Sequence, residues 1–529
     1  MLFTTANFLV FLAVVILVYG LFPQKYRWFI LLVGSMVFYG FAGPHFLAYI
    51  CSTILITYFC TMRIHSLRNK RDALVAVATD RDQKREIRAR FKSHTKKWTV
   101  LCLVIILGIL AVVKYTDFMI ANTNSLIEAF GLQARIGFMR LALPMGISFY
   151  TFQTVAYVVD VGREKASITR NPLKLALFVS FFPQVIQGPI SRFAELSQEL
   201  YSGMPIQWSS FSRGSQRILW GFFKKLVVAD RLWPALTVLT SNPDNFRGAY
   251  YLLSITLYAI ILYMDFSGGI DITIGVAEIF GIRLPENFKR PYYARNIQEF
   301  WQRWHITMYS WFRDYVFYPM SVGKGMLRLS KWARRVFGDE VGKRLPIHVS
   351  LLWVWFITGL WHDASWGFIT WGVAFGIVIM VSLELAPIYN RFHARFPRVH
   401  ENWAFKSFQI LRTFLILNVI RSFVIYGNVF TSLRMMGSVF TDFGAIDFMT
   451  RGVSELSLYT ADYFAAGMGL LVVFWVSYLE RGGTDFRDKM ITFRWPLRYA
   501  AIGLILFMII ILGAYGLGYD AHQFIYNQF

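Results

Sequence analysis

Apolar runs of about 15–22 residues recur along the whole sequence and constrain the fold more than any other feature. Only 16% of the residues are charged, too few for the surface of a soluble protein of this length. The runs lack the alternation of barrel strands, and a backbone in hydrocarbon must satisfy its own hydrogen bonds. The sequence therefore predicts an all-α polytopic membrane protein. The runs are 5–22, 28–42, 46–62, 99–114, 139–160, 174–190, 211–229, 248–265, the double-length 345–386, 408–427, 463–479 and 499–518.

The net charge of +23 is concentrated in a few segments between these runs. Residues 62–98 carry twelve Lys and Arg against four acidic residues, and 283–346 carry thirteen against five. Residues 428–462 carry four acidic residues against two Arg. The positive-inside rule then places the first two segments in the cytoplasm and 428–462 outside, which leaves the N-terminus outside. Membrane lipid, and no nucleic acid, is the partner that this charge predicts.

The chain shows no long linker, internal repeat or low-complexity segment, so we predict one multi-pass membrane domain over 1–529. The basic cytoplasmic loop 62–98 is interpreted as containing a single helix on the membrane surface. The segment 283–346 is too polar to span and too aromatic for a simple loop, which favours amphipathic or re-entrant cytoplasmic helices. The three cysteines offer neither a disulfide framework nor a metal spacing, and we expect no metal site.

One histidine lies deep in the double-length run 345–386, within the stretch "GLWHDASWGF". Ionisable groups inside a membrane are costly, so His362 is a candidate general base. Asp363 follows it directly. Neighbouring residues on a helix point apart, so a contact between the two side chains requires a break in the helix. Gly359 and Gly367 make such a break plausible.

A second histidine, His305, lies in the aromatic segment "WQRWHITMYSW". Helical spacing would place it on one buried face with Trp301 and Met308. Taken alone, it is more simply explained as a buried structural histidine. Asp265 interrupts an apolar run before the Gly268–Gly269 pair, where it could bond to a neighbouring helix or orient a catalytic group.

Familiar catalytic motifs are absent from the sequence, including a Walker loop, a G-x-S-x-G elbow and H-E-x-x-H. Their absence disfavours ATP-driven transport, a serine hydrolase and a zinc protease. Four stretches in order instead resemble the membrane-bound O-acyltransferase (MBOAT) superfamily, and most closely its bacterial branch that includes the membrane subunit of alginate O-acetyltransferase. The stretches are 143–163, 181–196, 263–319 and 359–372.

The resemblance implies a ring of about 11–13 transmembrane helices, with a catalytic core over 140–372 and further spans over 373–529. It assigns the family's two characteristic histidines to His362, as general base, and to His305, which would position the donor or stabilise the oxyanion. Relatives commonly have glycine at the position of Asp363. The tentative donor- or substrate-binding residues are Asp265, Lys289, Arg290, Arg303, Trp304, Arg313, Trp361 and Asp363. The basic ones could hold coenzyme A phosphates or anchor the protein to lipid, and Arg313 could simply pair with Asp314.

The resemblance further implies an acetyltransferase of the bacterial inner membrane. It would move acetyl groups from cytoplasmic acetyl-CoA, with no permanently bound cofactor, for O-acetylation of an exported polysaccharide such as alginate. A periplasmic or extracellular partner protein could complete the transfer. One alternative is D-alanyl or other acyl transfer, from an acyl-carrier thioester, to teichoic acid or peptidoglycan. A second alternative is a proton-coupled transporter or flippase that uses His362, Asp363 and Asp265 as a relay.

Overall fold

Residues 3–483 and 485–515 are described by the computed structural model, and they are helical with no β-strand among them. They form two compact units. The first contains the residues up to Ser215 together with Thr273–Pro285. The second contains Gln216–Ile272 together with the residues from Glu286 onward.

Apolar helices of moderate length and one long basic hairpin build the first unit. Its helices are α1 (Ala6–Leu21), α2 (Gln24–Gly40), α3 (Phe46–Val77), α4 (Arg81–Ala129), α5 (Ile147–Gly162), α6 (Pro172–Ser180) and α7 (Phe193–Leu200). The chain then enters α8 (Trp208–Phe222), whose last residues belong to the second unit.

The second unit begins with the end of α8 and a π-helical segment, Phe223–Ala229, that continues it. Further irregular helical turns lie at Pro291–Tyr293, Arg313–Phe317 and Glu480–Gly482. The helix α10 (Ala249–Ile279) ends in the first unit. The others are α9 (Asp230–Ser241), α11 (Ile297–Arg303), α12 (Ile306–Phe312), α13 (Tyr318–Ser321), α14 (Lys324–Phe337), α15 (Asp339–His362), α16 (Trp366–Glu384), α17 (Ala386–Arg395), α18 (Pro397–Glu401), α19 (Trp403–Ile425), α20 (Val429–Thr441), α21 (Ala445–Arg451), α22 (Thr460–Leu479), α23 (Phe486–Ile491) and α24 (Trp495–Leu512).

Eight helices in the described ranges are long and apolar enough to cross a membrane: α3, α4, α10, α15, α16, α19, α22 with the turn after it, and α24. The predicted double-length run is the pair α15 and α16. The remaining apolar runs form the shorter helices α1, α2, α5, α6 and α8. The structure thus confirms the prediction of an all-α polytopic membrane protein.

Proline and glycine shorten two of the predicted runs. The helix α5 starts only at Ile147, because Pro144 restricts the preceding backbone and Gly146 adopts a left-handed conformation with φ of 72°. A side chain at Gly146 would collide with the carbonyl oxygen of Val185. In the same way, α6 ends at Ser180, three residues before Pro183.

The interpretation of residues 62–98 as a loop with one surface helix is wrong. The helix α3 continues to Val77 and α4 begins at Arg81, so only a short turn separates two long helices. Asp80 caps α4, since its carboxylate accepts hydrogen bonds from the backbone N–H groups of Asp82 and Gln83. Arg, Lys, Gln and Glu are good helix formers, which lets both helices extend past their apolar portions.

The segment 283–346 forms short helices, as its polarity predicted. The clearest case is α14, where Ala333 is the buried residue and Leu327, Trp332 and Phe337 are exposed. Apolar side chains on an otherwise basic helix suit the membrane surface.

Candidate active site

His362 is the last residue of α15, at a break in the double-length run. Asp363 is extended, with φ of −154°, and Ser365 caps the start of α16 by accepting a hydrogen bond from the backbone N–H of Phe368 at 3.4 Å. The break predicted at this point is therefore present. The C-terminal end of a helix favours positive charge, so the position suits a side chain that accepts a proton.

Glycines let α15 and α16 pack with their backbones in contact below this break. A Cβ on Gly359 would collide with the carbonyl oxygen of Phe368, and one on Gly372 would collide with that of Trp355. Gly367 similarly faces the carbonyl oxygen of Phe423 on α19. These close approaches fix where α15 ends and hence where the imidazole of His362 lies.

His305 is completely buried. Its spacing predicted a continuous helical face with Trp301 and Met308, but the structure shows no such helix. The helix α11 ends at Arg303, and His305 itself is left-handed, with φ of 46°. All three side chains are nevertheless buried. The prediction of burial is confirmed, and the prediction of one helix is wrong.

Asn287 holds this left-handed turn from a segment 18 residues earlier in the chain. Its side-chain oxygen accepts hydrogen bonds from the backbone N–H and the hydroxyl of Thr307, both at 3.0 Å. The same oxygen lies 3.3 Å from His305 Nδ1, and the Asn287 carbonyl accepts the N–H of Ile306 at 3.1 Å. A proton on Nδ1 would complete this contact and leave Nε2 of His305 as the acceptor nitrogen.

Trp361 contacts both histidines. The ring centre of Trp361 lies 6.4 Å from that of His305 and 4.6 Å from that of His362. His362 also contacts Phe368 and Trp371, at 5.8 and 5.1 Å. Burial lowers the pKa of His305 to about 3, so its imidazole is neutral at physiological pH. The structure thus brings His305, Trp361 and His362 into one aromatic environment.

A cavity of about 420 Å³ lies within the second unit and is lined by Lys289 and Arg290. Its apolar wall comes from Val473 and Val476 of α22 and from Ile502 of α24. The other charged residues that line it are Arg217, Lys224, Asp271, Glu286, Glu480, Asp485 and Arg487. Arg217, Lys224 and Arg487 pair with carboxylates, so Lys289 and Arg290 are the basic groups that suit an anionic ligand with a less polar arm.

Aromatic side chains lie between this cavity and His305. Phe288 lines the cavity and contacts Trp304 at 5.0 Å and Phe266 at 4.9 Å. Phe266 in turn contacts the ring of His305 at 4.9 Å. One aromatic layer therefore lies between the cavity and His305.

Other predicted binding residues already form ion pairs. Arg303 binds Glu299 at 2.5 Å, and Arg313 binds Asp314 at 2.9 Å. Neither Arg lines the cavity.

Asp265 is 2.5 Å from Lys225 on the π-helical segment. The neighbouring Lys224 binds Asp271 in the same way, at 2.5 Å. These buried pairs connect the π-helical segment to α10.

Three groups of polar residues near the site were not predicted: the Lys224–Lys225 pair, Asn287 and Arg421. Arg421 and the two lysines lie inside predicted apolar runs, so the cost of ionisable groups at membrane depth could have marked them. Asn287 offers no such signal, because an asparagine in a polar segment is unremarkable until the chain folds.

Comparisons with known proteins show the family to which this fold belongs. Residues 73–426 match the model of MBOAT, the membrane-bound O-acyltransferase family. The chain is 31% identical over 444 residues to the "Probable alginate O-acetylase AlgI" of Pseudomonas putida, covering 83% of this chain and 80% of that protein. It is 29% identical over 405 residues to the peptidoglycan O-acetyltransferase of Helicobacter pylori, covering 72% and 68%. It is 28% identical over 253 residues to the teichoic acid D-alanyltransferase of Bacillus subtilis, covering 47% and 60%.

The long apolar helices and the match to this family identify a polytopic membrane enzyme of the acyl-transfer class. The chain belongs to the membrane-bound O-acyltransferase family. The resemblance inferred from the four sequence stretches is confirmed.

Proposed function

We propose that this enzyme transfers acetyl groups from cytoplasmic acetyl-CoA across the bacterial inner membrane, for O-acetylation of an exported polysaccharide such as alginate. The observation that carries the proposal is that Trp361 contacts the rings of both His305 and His362, and that each histidine lies at a break between two helices. Family membership supplies the reaction class. The names of relatives that acetylate alginate and peptidoglycan support acetyl as the acyl group.

His362 is the general base in this proposal. Its imidazole takes the proton of an acceptor hydroxyl as the hydroxyl oxygen attacks the thioester carbonyl, a contribution of about 10²–10⁴-fold. The tetrahedral intermediate then expels the thiolate of coenzyme A. That thiolate takes up the proton from the imidazolium, so the products are an ester and a free thiol.

His305 has a different role because it is fully buried and neutral. With its one proton on Nδ1 and shared with Asn287, the neutral imidazole presents Nε2 as an acceptor that orients the thioester donor, and it does not act as a charged acid near pH 7. Donation to the developing oxyanion would instead require the proton on Nε2. The cavity supplies the donor site. Lys289 and Arg290 contact the phosphates of coenzyme A there, and the pantetheine arm extends towards Phe288 and Trp304.

The proposed orientation places the basic turn between α3 and α4 in the cytoplasm and the N-terminus outside. No cofactor is bound permanently, and acetyl-CoA is a substrate. A partner protein outside the membrane passes the acetyl group to the polysaccharide.

Two alternatives differ from this proposal in substrate or in class. D-alanyl transfer keeps the chemistry but takes its thioester from a carrier protein, and similarity to the teichoic acid enzyme covers less than half of this chain. The transporter alternative needed a relay of His362, Asp363 and Asp265. Asp265 is bound to Lys225, and the Asp363 side chain forms no hydrogen bond within the described ranges.

Release of free thiol from acetyl-CoA by the purified protein tests the proposal, with polysaccharide and partner proteins added in parallel. We expect turnover by wild type, and a loss of about 10²-fold or more in His362→Ala and His305→Ala. The exposed His45 gives a matched control, and His45→Ala should keep full activity.

Three outcomes would count against the proposal. Turnover with an acyl-carrier thioester but not with acetyl-CoA moves the assignment to D-alanyl transfer. Full activity in folded His362→Ala would show that His362 is not the general base. If no donor releases free thiol, even with the partner proteins present, acetyl transfer by this chain is overturned.

A further inference from the structure

Arg421 on α19 is a buried cation, with only 3% of its surface exposed. Its guanidinium lies over three aromatic rings, at 4.7 Å from the ring centre of Trp304, 5.3 Å from Phe300 and 5.6 Å from Tyr292. It donates hydrogen bonds to the Tyr292 hydroxyl at 2.9 Å and to the Asn418 side-chain oxygen at 3.3 Å.

Within the described part of the chain, no carboxylate forms an ion pair with Arg421. Burying a cation carries a desolvation cost, against which the cation–π contacts return some stabilisation. An apolar residue could fill the same volume without that cost. A charged group at membrane depth that packing does not require points to a functional role.

Arg421 contacts the residue that precedes His305 in the left-handed turn. Trp304, the nearest ring, precedes His305 and stacks on Phe300 at 5.5 Å. Tyr292 accepts the Arg421 hydrogen bond and donates its own to the carbonyl of Ala259 on α10, at 2.7 Å. Arg421 therefore links α19, α10 and the segment before His305.

His305 is thus held from two sides. Asn287 binds the residues after it, and the Arg421–Trp304 stack fixes the residue before it. A left-handed histidine is strained and persists only where its surroundings hold it. Without the guanidinium, the indole of Trp304 would lose its closest charged contact, and the histidine turn could relax.

We propose that Arg421 is a positioning residue for acyl transfer, whose guanidinium holds Trp304 and through it the imidazole of His305. The inference rests on the proposed role of His305. Arg421 does not touch the reacting groups in this proposal. It acts on His305 through the ring of Trp304.

Kinetics of folded variants test the inference. Arg421→Met should lower kcat by about 10²-fold with the KM for the donor little changed, since small misplacements of a catalytic group have that effect. Arg421→Lys should recover part of the loss, because an ammonium keeps the cation–π attraction but not the flat stacking. The control is Arg412→Met on the same helix, where the half-buried Arg412 binds the carbonyl of Arg295 at 2.9 Å. It should retain wild-type kcat.

A double-mutant cycle separates positioning from a general structural role. If Arg421 acts through Trp304, Arg421→Met combined with Trp304→Leu should be no slower than Trp304→Leu alone, within about two-fold. Losses that multiply, or a folded Arg421→Met with wild-type kcat, would overturn the inference.

A thermal measurement distinguishes failure of this inference from failure of the proposed function. The same cycle is run on the melting temperature of the purified variants, which needs no donor. The melting temperature should fall by less in the double variant than the two single losses added together. Additive losses would overturn the Arg421–Trp304 contact whether or not acetyl-CoA proves to be the donor.

Discussion

His305 combines a left-handed backbone with complete burial and an amide partner. The left-handed backbone and the burial each cost free energy, which the contact with Asn287 partly offsets, and such a combination is typical of sites where geometry serves chemistry. His362 differs, because it is half-buried and lies at the open end of α15. These environments suit the separate roles proposed for the two histidines. In that proposal the half-buried His362 exchanges protons, and the fully buried His305 holds its position.

Acid should destabilise the protein through His305. Burial lowers the pKa of His305 from an ordinary value of 6.5 to about 3. Between these values the unfolded chain binds a proton that the folded protein excludes, so the free energy of unfolding falls as pH drops below 6.5. The loss is up to about 1.4 kcal/mol per pH unit. Above pH 6.5 this group contributes no pH dependence.

Replacement of His305 by a side chain that does not titrate tests the predicted loss of stability in acid. The unfolding free energy of His305→Gln, measured in detergent at pH 7, 6 and 5, should fall less steeply with acid than that of wild type. Equal slopes for the two proteins would show that His305 is accessible to protons when folded.

The residue types of the site were easier to predict than its contacts. A histidine at membrane depth is conspicuous in a sequence, which made His362 a candidate without any structure. The left-handed turn at His305 was not predictable, because it depends on Asn287 and on Arg421, which are distant in the chain. Local periodicity instead indicated one helix through Trp304.

Among the elements, the pair α15 and α16 shows that the length of an apolar run can predict a break between two helices. A run of double length cannot cross the membrane once, so a break was expected near its centre, and the structure has it at Asp363. Charge patterns were less reliable. The basic segment 62–98 looked like a loop, yet its residues favour helix and extend α3 and α4.

Close packing of α15 and α16 should be sensitive to a single methyl group. In Gly372→Ala the new Cβ would collide with the Trp355 carbonyl and approach Gly359 within 3.0 Å. The two helices must then separate beside the His362 break, and we expect kcat to fall by about 10²-fold, as for a misplacement near 1 Å.

The control for this prediction is Gly467→Ala on α22, where a new Cβ meets open space. That variant should keep its activity and gain up to about 1 kcal/mol of helix stability. Equal activity in the two variants would contradict the role given to the α15–α16 contact. Activity and melting temperature are measured on the same preparations.

At the scale of the whole molecule, composition and charge carry most of the information available from sequence. Apolar run length predicted the long helices, and the order of four stretches predicted the family. Neither property indicates which runs become short helices, because proline, glycine and buried ion pairs decide that locally. Charge asymmetry also predicts an orientation, which is a property of the protein in its membrane.

The predicted orientation rests on two turns with opposite charge, and it can be measured directly. Thr79 is exposed in the basic turn between α3 and α4, and Asp442 is exposed after α20 in the acidic segment. With the three native cysteines replaced by serine, Thr79→Cys and Asp442→Cys provide one labelling site each. A membrane-impermeant maleimide should label Asp442→Cys in intact spheroplasts, and Thr79→Cys only after the membrane is opened, since basic segments stay in the cytoplasm. The reverse labelling pattern would show that the protein has the opposite orientation. The thioester would then reach Lys289 and Arg290 from the other side of the membrane than proposed.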